Sequence, residues 1–272
     1  MQRITFIGGG NMARSLIGGL IRNGTSPDRI AVSEPNVELR DGLARDFHVA
    51  VDAANEDAAR DADVLLLAIK PQAMQDVCAG LRGIVQARKP LVISIAAGIR
   101  IDRIERWLGG DLAIVRCMPN TPALIGAGAT ALCANACVNA AQCELAQSIL
   151  GAAGLSLWID DEAQMDTVTA LSGSGPAYFF LLVEALENAA VAQGLPRETA
   201  RTLSVQTCLG AGRMLREDGA APAELRRRVT SPGGPTQAAL ESFAVSGFNE
   251  IVARAIAAAT ARGRELSSEL DD

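Results

Sequence analysis

Short apolar runs alternate with amphipathic stretches over the first 160 or so residues. Arg3 to Ile7 predicts a first strand and Asn11 to Asn23 a helix. A second strand follows at Arg29 to Ser33, then a helix from about Val37 to Phe47. Val64 to Ile69 reads Val-Leu-Leu-Leu-Ala-Ile, apolar throughout, as a strand buried on both faces must be. Leu91 to Ile95 repeats that pattern, Ala113 to Arg116 continues it, and weaker strands fall at Ala127 to Cys133 and Leu155 to Ile159. Strand and helix alternating at this spacing predict an α/β domain over residues 1–160, built on a doubly wound parallel sheet.

After about Asp160 the strand-like runs stop and Ala, Leu, Glu and Arg dominate. Ser-Gly-Ser-Gly-Pro at 172–176, Gly-Leu-Pro at 194–196 and Ser-Pro-Gly-Gly-Pro at 231–235 interrupt them, the punctuation expected of helix starts and ends. Residues 161–272 therefore predict an all-helical domain of four or five helices. Two of these, Tyr178 to Gln193 and Phe248 to Ala261, are apolar over more than one face. Such a helix must be covered on all sides. A domain this small lacks the chain to do so, and the expected cover is a second subunit, in a homodimer packed or swapped through the C-terminal helices.

Composition narrows the chemistry. The formal net charge is −6 and the pI about 5.0, which leaves no electrostatic footprint for nucleic acid. Arg226, Arg227 and Arg228 read as a solvated helix face. No apolar run approaches the ~18 residues a membrane span needs. The start, Met1 to Phe6, lacks the apolar core of a signal peptide, so a cytoplasmic protein is expected. There is one histidine, His48, one tyrosine, Tyr178, and two lysines, Lys70 and Lys89. A histidine-rich metal site is excluded and no metal is expected. A Ser-His-Asp arrangement would rest on His48 alone, and a Schiff base on one of two lysines in the first third. The reactive group is therefore expected to come from a cofactor. The six cysteines form no Cys-x-x-Cys pair and read as buried reduced thiols. Trp107 and Trp158 read as core and His48 as a surface or loop residue. Tyr178 fits a pocket or a core helix equally well.

The sharpest local signal is Phe6-Ile7-Gly8-Gly9-Gly10-Asn11-Met12-Ala13, in which Gly8, Gly10 and Ala13 fit G-x-G-x-x-G/A between a strand and a helix. Glycine there lets the backbone turn tightly and approach a pyrophosphate, which the helix N-terminus favours electrostatically. Glu34 ends the second strand at the distance where a Rossmann-type domain places the acid that reads the adenine-side ribose, a choice that favours NADH. Ser33 and Asn36 beside it serve a 2′-phosphate instead, and NADH or NADPH stays open. Ala68-Ile69-Lys70-Pro71 and Ser94-Ile95-Ala96-Ala97-Gly98 close two further strands at the same edge, and the small Ala96 and Ala97 admit a flat nicotinamide ring. Arg116-Cys117-Met118-Pro119-Asn120-Thr121-Pro122 is a third such loop.

Phe6 to Ala13, Ala68 to Pro71, Met118 to Pro122, Leu171 to Tyr178 (Leu-Ser-Gly-Ser-Gly-Pro-Ala-Tyr) and Val229 to Thr236 (Val-Thr-Ser-Pro-Gly-Gly-Pro-Thr) together resemble pyrroline-5-carboxylate reductase, in order and over essentially the whole chain. The resemblance implies reduction of 1-pyrroline-5-carboxylate to L-proline by NADPH or NADH, the last step of proline biosynthesis. It implies a substrate loop of Ser231, Gly233, Gly234 and Thr236, with the free N–H groups of a helix start on the carboxylate and the Thr236 hydroxyl, the catalytic candidate, on the imine nitrogen. It implies Glu162 as a substrate contact, Gly173, Ser174, Gly175 and Pro176 as a pocket wall, and Asn11, Met12 and Asn55 toward the cofactor. Family dimers assemble into larger rings, a decamer among them. Pro235 departs from the Thr or Ala common in the family and removes one N–H donor. Two other readings remain: a β-hydroxyacid-type dehydrogenase, weakened because no lysine follows Lys89, and a non-catalytic dinucleotide sensor.

Overall fold

The computed structural model describes residues 2–269. They form two compact units, one of residues 2–173 with 259–269 and one of residues 174–258. This partition differs from the expected 1–160 and 161–272, because the segment after the last strand and the end of the last helix both pack with the sheet-bearing unit.

The first unit is an eight-stranded sheet ordered β3-β2-β1-β4-β5-β6-β7-β8. In chain order its elements are β1 (Ile4–Ile7), α1 (Asn11–Arg22), β2 (Ile30–Ser33), α2 (Val37–Phe47), β3 (Ala50–Asp52), α3 (Asn55–Ala59), β4 (Val64–Leu67) and α4 (Met74–Arg88). There follow β5 (Leu91–Ser94), α5 (Ile101–Leu108), β6 (Ile114–Met118), β7 (Gly128–Ala134), α6 (Ala140–Gly151), β8 (Gly154–Trp158) and α7 (Met165–Val168). The register is in step across the centre: Ile4 pairs with both Ile30 and Val64, and Ile7 with Ser33 and Leu67. β1, β2, β4 and β5 are buried at every position, as their apolar runs require. Because side chains alternate across a strand, Phe6, Val32 and Leu66 enter one core with Leu16 and Ile17 of α1, while Ile7, Leu65 and Leu67 enter the other with Leu81 of α4 and Ile104 of α5.

Two features depart from the expected sheet. β7 runs antiparallel to β6, since the nine residues between them hold only a 3-10 turn at Thr121–Ile125, too little for the crossover that a parallel neighbour needs. β3 is an additional edge strand of three residues, exposed or half-buried, paired to β2. His48 is exposed and closes α2 in the left-handed region at φ 56°. Trp107 and Trp158 are half-buried at the margins of the two cores. All six cysteines are free: Cys78, Cys117 and Cys133 are buried as expected, but Cys137 is exposed and Cys143 and Cys208 are half-buried. Burial pushes the Cys78 thiol up to about 12 and Cys117 higher still, so neither is a nucleophile at neutral pH.

The second unit carries α8 (Gly175–Ala192), α9 (Arg197–Glu217), α10 (Pro222–Arg228), α11 (Pro235–Val245) and the first half of α12 (Phe248–Glu269); with the short α7, the stretch expected to hold four or five helices holds six. Pro222 and Pro235 each occupy a first helical turn, where no amide hydrogen is needed. Arg227 and Arg228 pair with Glu224, and Arg228 also with Asp218, so the triple-arginine run is the solvated face expected. Among this unit's described residues only Ala200 and Leu225 are buried hydrophobics, whereas Phe179, Phe180, Leu181, Leu203 and Leu209 are more than half exposed.

The α8–α9 hairpin is tied by Glu187, which accepts from Arg197 at 2.7 Å and Arg201 at 3.1 Å. The Arg201 bond first, then Arg197, holds the Glu187 carboxyl below its ordinary 4.5. A depressed carboxylate stabilises the fold above its unfolded pKa, and that contribution is lost as pH falls through the folded one. Glu187→Gln is therefore expected to lower the midpoint of thermal unfolding at neutral pH, with the gap from the parent closing below pH 4.5, as scanning calorimetry between pH 3 and 7 will read.

Candidate active site

Four parallel strands end at one edge of the sheet, and the loops following β1, β2, β4 and β5 carry the nucleotide-site candidates Gly8 to Met12, Ser33 to Asn36, Ala68 to Pro71, and Ala96 with Ala97. Gly8 sits at φ +98°, and a Cβ there would lie 2.5 Å from the Ala68 carbonyl oxygen. Glycine is dictated by the protein itself at that position. Gly10 differs: its φ of −68° suits any residue, and a Cβ would meet no atom within 4 Å. α1 starts there with no side-chain cap and no acid in its first turn, so no side chain of the N-cap residue satisfies its first amides. An uncapped helix start under a residue kept bare for no internal reason fits a pyrophosphate.

The adenosine-side candidates are arranged otherwise than the sequence suggests. Ser33 is fully buried and its hydroxyl donates to Asn55 Oδ1 at 2.6 Å, so it orients Asn55 and does not face a ligand. Asn36 caps α2, its Oδ1 accepting from the Leu39 amide at 3.0 Å. Glu34 is 8% exposed; Oε2 accepts from the Gly9 amide and Oε1 from the Asn36 amide, each at 2.8 Å. The carboxylate expected to read ribose is thus turned inward. Arg40, which the sequence reading passed over, donates to the backbone oxygens of Glu34 and Pro35 at 3.0 and 3.3 Å. An arginine one turn into the helix after Glu34 was the available signal.

Elsewhere in this unit, Glu162 Oε1 accepts from the Ile101 amide at 2.9 Å and from Arg116 at 2.8 Å. Arg116 is 4% exposed as a side chain, so the pair is largely desolvated and the Glu162 charge is already offset. Glu162, Arg100, Arg116, Asp166 and Arg264 line a cavity of about 280 Å3. Asn120 of the Met-Pro-Asn-Thr-Pro loop bridges the Ala129 amide and the Ser172 carbonyl, at 2.9 and 3.0 Å, and fixes the wide π-type turn Thr169–Gly173. A Cβ on Gly173 would sit 2.6 Å from Met118 Cε.

In the second unit, Ser174, Gly175 and Pro176 open α8, with Tyr178 half-buried one turn on. The 231–236 loop is self-bonded: the Gly233 amide, at φ +69°, donates to Gln237 Oε1 at 2.8 Å, and the Gly234 amide to Ser231 O at 3.1 Å. The glycine amides expected to grip a carboxylate are thus already engaged. With Pro235 at the first helical position of the uncapped α11, the donors left at this helix start are the amides of Thr236 and Gln237. Thr236 is exposed. Among the described residues no group of three or more His, Cys, Asp and Glu is placed to hold a metal, and no helix is long and apolar enough to cross a membrane.

Comparison with known proteins gives these sites a family. The model for pyrroline-5-carboxylate reductase dimerisation matches residues 162–266, and that for coenzyme F420-dependent NADP oxidoreductases matches residues 3–98. A protein of Pseudomonas aeruginosa named pyrroline-5-carboxylate reductase is 53% identical over 270 residues, covering 98% of both chains. Among solved structures, a pyrroline-5-carboxylate reductase from Coxiella burnetii aligns with a TM-score of 0.95 at 46% identity, covering 97% of this chain and 98% of the other. The pyrroline carboxylate reductase of Plasmodium falciparum with NADP bound aligns at 0.85 and 30%, covering 98% of each. A dinucleotide-type sheet edge, a dimerisation domain and identity along nearly the entire sequence lead to one conclusion: this chain belongs to the pyrroline-5-carboxylate reductase family.

Proposed function

We infer that the protein reduces 1-pyrroline-5-carboxylate to L-proline, taking hydride from NADPH or NADH, as the last step of proline synthesis in the cytoplasm. The observation that carries this is the glycine loop, where Gly8 is required by the fold and a Cβ on Gly10 would meet no protein atom within 4 Å, in a chain whose full-length relatives bear that name. The nicotinamide coenzyme supplies the hydride when bound; the chain supplies position. The first amides of α1 hold the pyrophosphate, Asn55 and Asn36 face the adenosine half, and Ala68 to Pro71 with Ala96 and Ala97 flank the nicotinamide. Ser231 to Thr236 form the substrate loop, with the Thr236 and Gln237 amides on the carboxylate and Thr236 Oγ1 accepting from the protonated imine nitrogen. Gly173 to Pro176 form a wall. Glu162, neutralised by Arg116, shapes the substrate side and carries no unpaired charge toward it. A protonated imine is already electrophilic, so orientation is most of the catalytic task and the lack of His and Lys after residue 89 costs nothing. The division of labour falls near residue 160, nucleotide before and substrate and dimerisation after.

The bare apolar helices of the second unit support a homodimer made through α8 to α12, which assembles further into a ring. The test of the activity follows nicotinamide absorbance in purified protein with racemic pyrroline-5-carboxylate and NADH or NADPH. Turnover with at least one coenzyme is expected. Coenzyme binding without turnover would overturn the reductase reading in favour of a sensor.

A further inference from the structure

We propose that Glu34 is a positioning residue that latches the glycine loop for both coenzymes, and is not the group that discriminates between them. The inference rests on the dinucleotide-site reading but not on the identity of the imine. Three observations meet at this side chain. Its two carboxylate oxygens are each taken by a backbone amide, Gly9 on Oε2 and Asn36 on Oε1, both at 2.8 Å. It is held from behind, since the Glu34 amide donates to Asp52 O of β3 at 2.9 Å and its carbonyl accepts from Arg40. Gly9 is pressed onto it: a Cβ on Gly9 would lie 3.2 Å from Glu34 Cβ and 2.5 Å from Leu43 Cδ1.

Gly9 is buried, so its amide has no water to turn to if Glu34 swings out. Turning the carboxylate toward a ribose would orphan that amide and free the Asn36 amide together. The latch spans 25 residues and fixes the loop between Gly8, whose amide donates to Ser33 O, and Gly10, where the pyrophosphate is received. A loop held this way is set before coenzyme arrives, whichever coenzyme it is. Discrimination at the ribose then falls to the other groups beside it, the exposed Asn36 and the half-buried Arg40.

The experiment compares the parent with Glu34→Gln, in which one acceptor oxygen becomes a donor facing an amide. Dissociation constants for NADPH and NADH come from titration calorimetry without imine, and amide hydrogen exchange at Gly9 is followed in the coenzyme-free parent. A latch predicts that both coenzymes weaken by about tenfold or more, the scale of a lost hydrogen bond to a charged group, with their ratio preserved. It also predicts a slowly exchanging Gly9 amide in the unmutated protein, a measurement that holds even if the variant folds poorly. Selective loss of NADH with NADPH unchanged or tightened, or a rapidly exchanging Gly9 amide, would overturn the proposal. Binding of neither coenzyme to the parent would overturn it together with the dinucleotide-site reading, whereas a failure of imine turnover alone leaves these measurements intact.

Discussion

Alanine at position 8 is expected to abolish coenzyme binding and to destabilise the first unit, by about 2–4 kcal/mol. The residue sits at φ +98°, where an L side chain is strained, and its Cβ would be 2.5 Å from a backbone oxygen that cannot move without shifting β4. Alanine at position 10 separates folding from binding. That Cβ meets no protein atom within 4 Å and the backbone is in an ordinary region, so stability is expected to stay within about 0.5 kcal/mol of the parent. Coenzyme affinity nevertheless falls, because the methyl group occupies space the pyrophosphate needs. Denaturant unfolding and titration with NADPH on both variants check the pair. Equal loss of stability in the two variants, or unchanged coenzyme affinity in Gly10→Ala, would contradict the site.

The second large effect is at Thr236. Thr236→Ala is expected to lower kcat/KM for pyrroline-5-carboxylate by about 10- to 100-fold, the size of one hydrogen bond to a charged group. Coenzyme affinity should not change, since the threonine belongs to the helical unit's loop and not to the sheet edge. Thr236 is exposed in the chain, so the midpoint of thermal unfolding should stay close to the parent's. Thr236→Ser, which keeps the hydroxyl, should recover most of the rate. Steady-state kinetics at fixed saturating coenzyme provides the reading. A serine variant as slow as the alanine variant would show that the methyl group matters and the hydroxyl does not.

Periodicity and punctuation carried most of the architecture. Runs such as Val64 to Leu67 have only one stable placement, in the middle of a sheet covered on both faces, and the strand-turn-helix context of Gly8 to Ala13 locates the nucleotide edge. What failed was short or weakly patterned. Ala50–Asp52 is three residues with no buried position, so nothing in its polarity marks it; it is a strand because β2 offers an edge. The reversal of β7 followed from the length of one connection and not from the strand's own residues.

The candidate site was legible in its backbone motifs and much less so in its polar side chains. The sequence by itself determined where glycine must turn the chain, which strands are buried, and that the C-terminal helices have more apolar surface than one copy covers. Only the tertiary structure decided that Glu34 faces Gly9 and Asn36, that Ser33 is sealed beneath Asn55, that Glu162 is matched by Arg116, and that the Gly233 and Gly234 amides are already engaged. The reason is physical: burial pattern is a local property that repeats with the element, whereas a charged or hydrogen-bonding atom is fixed by partners that folding brings from up to tens of residues away.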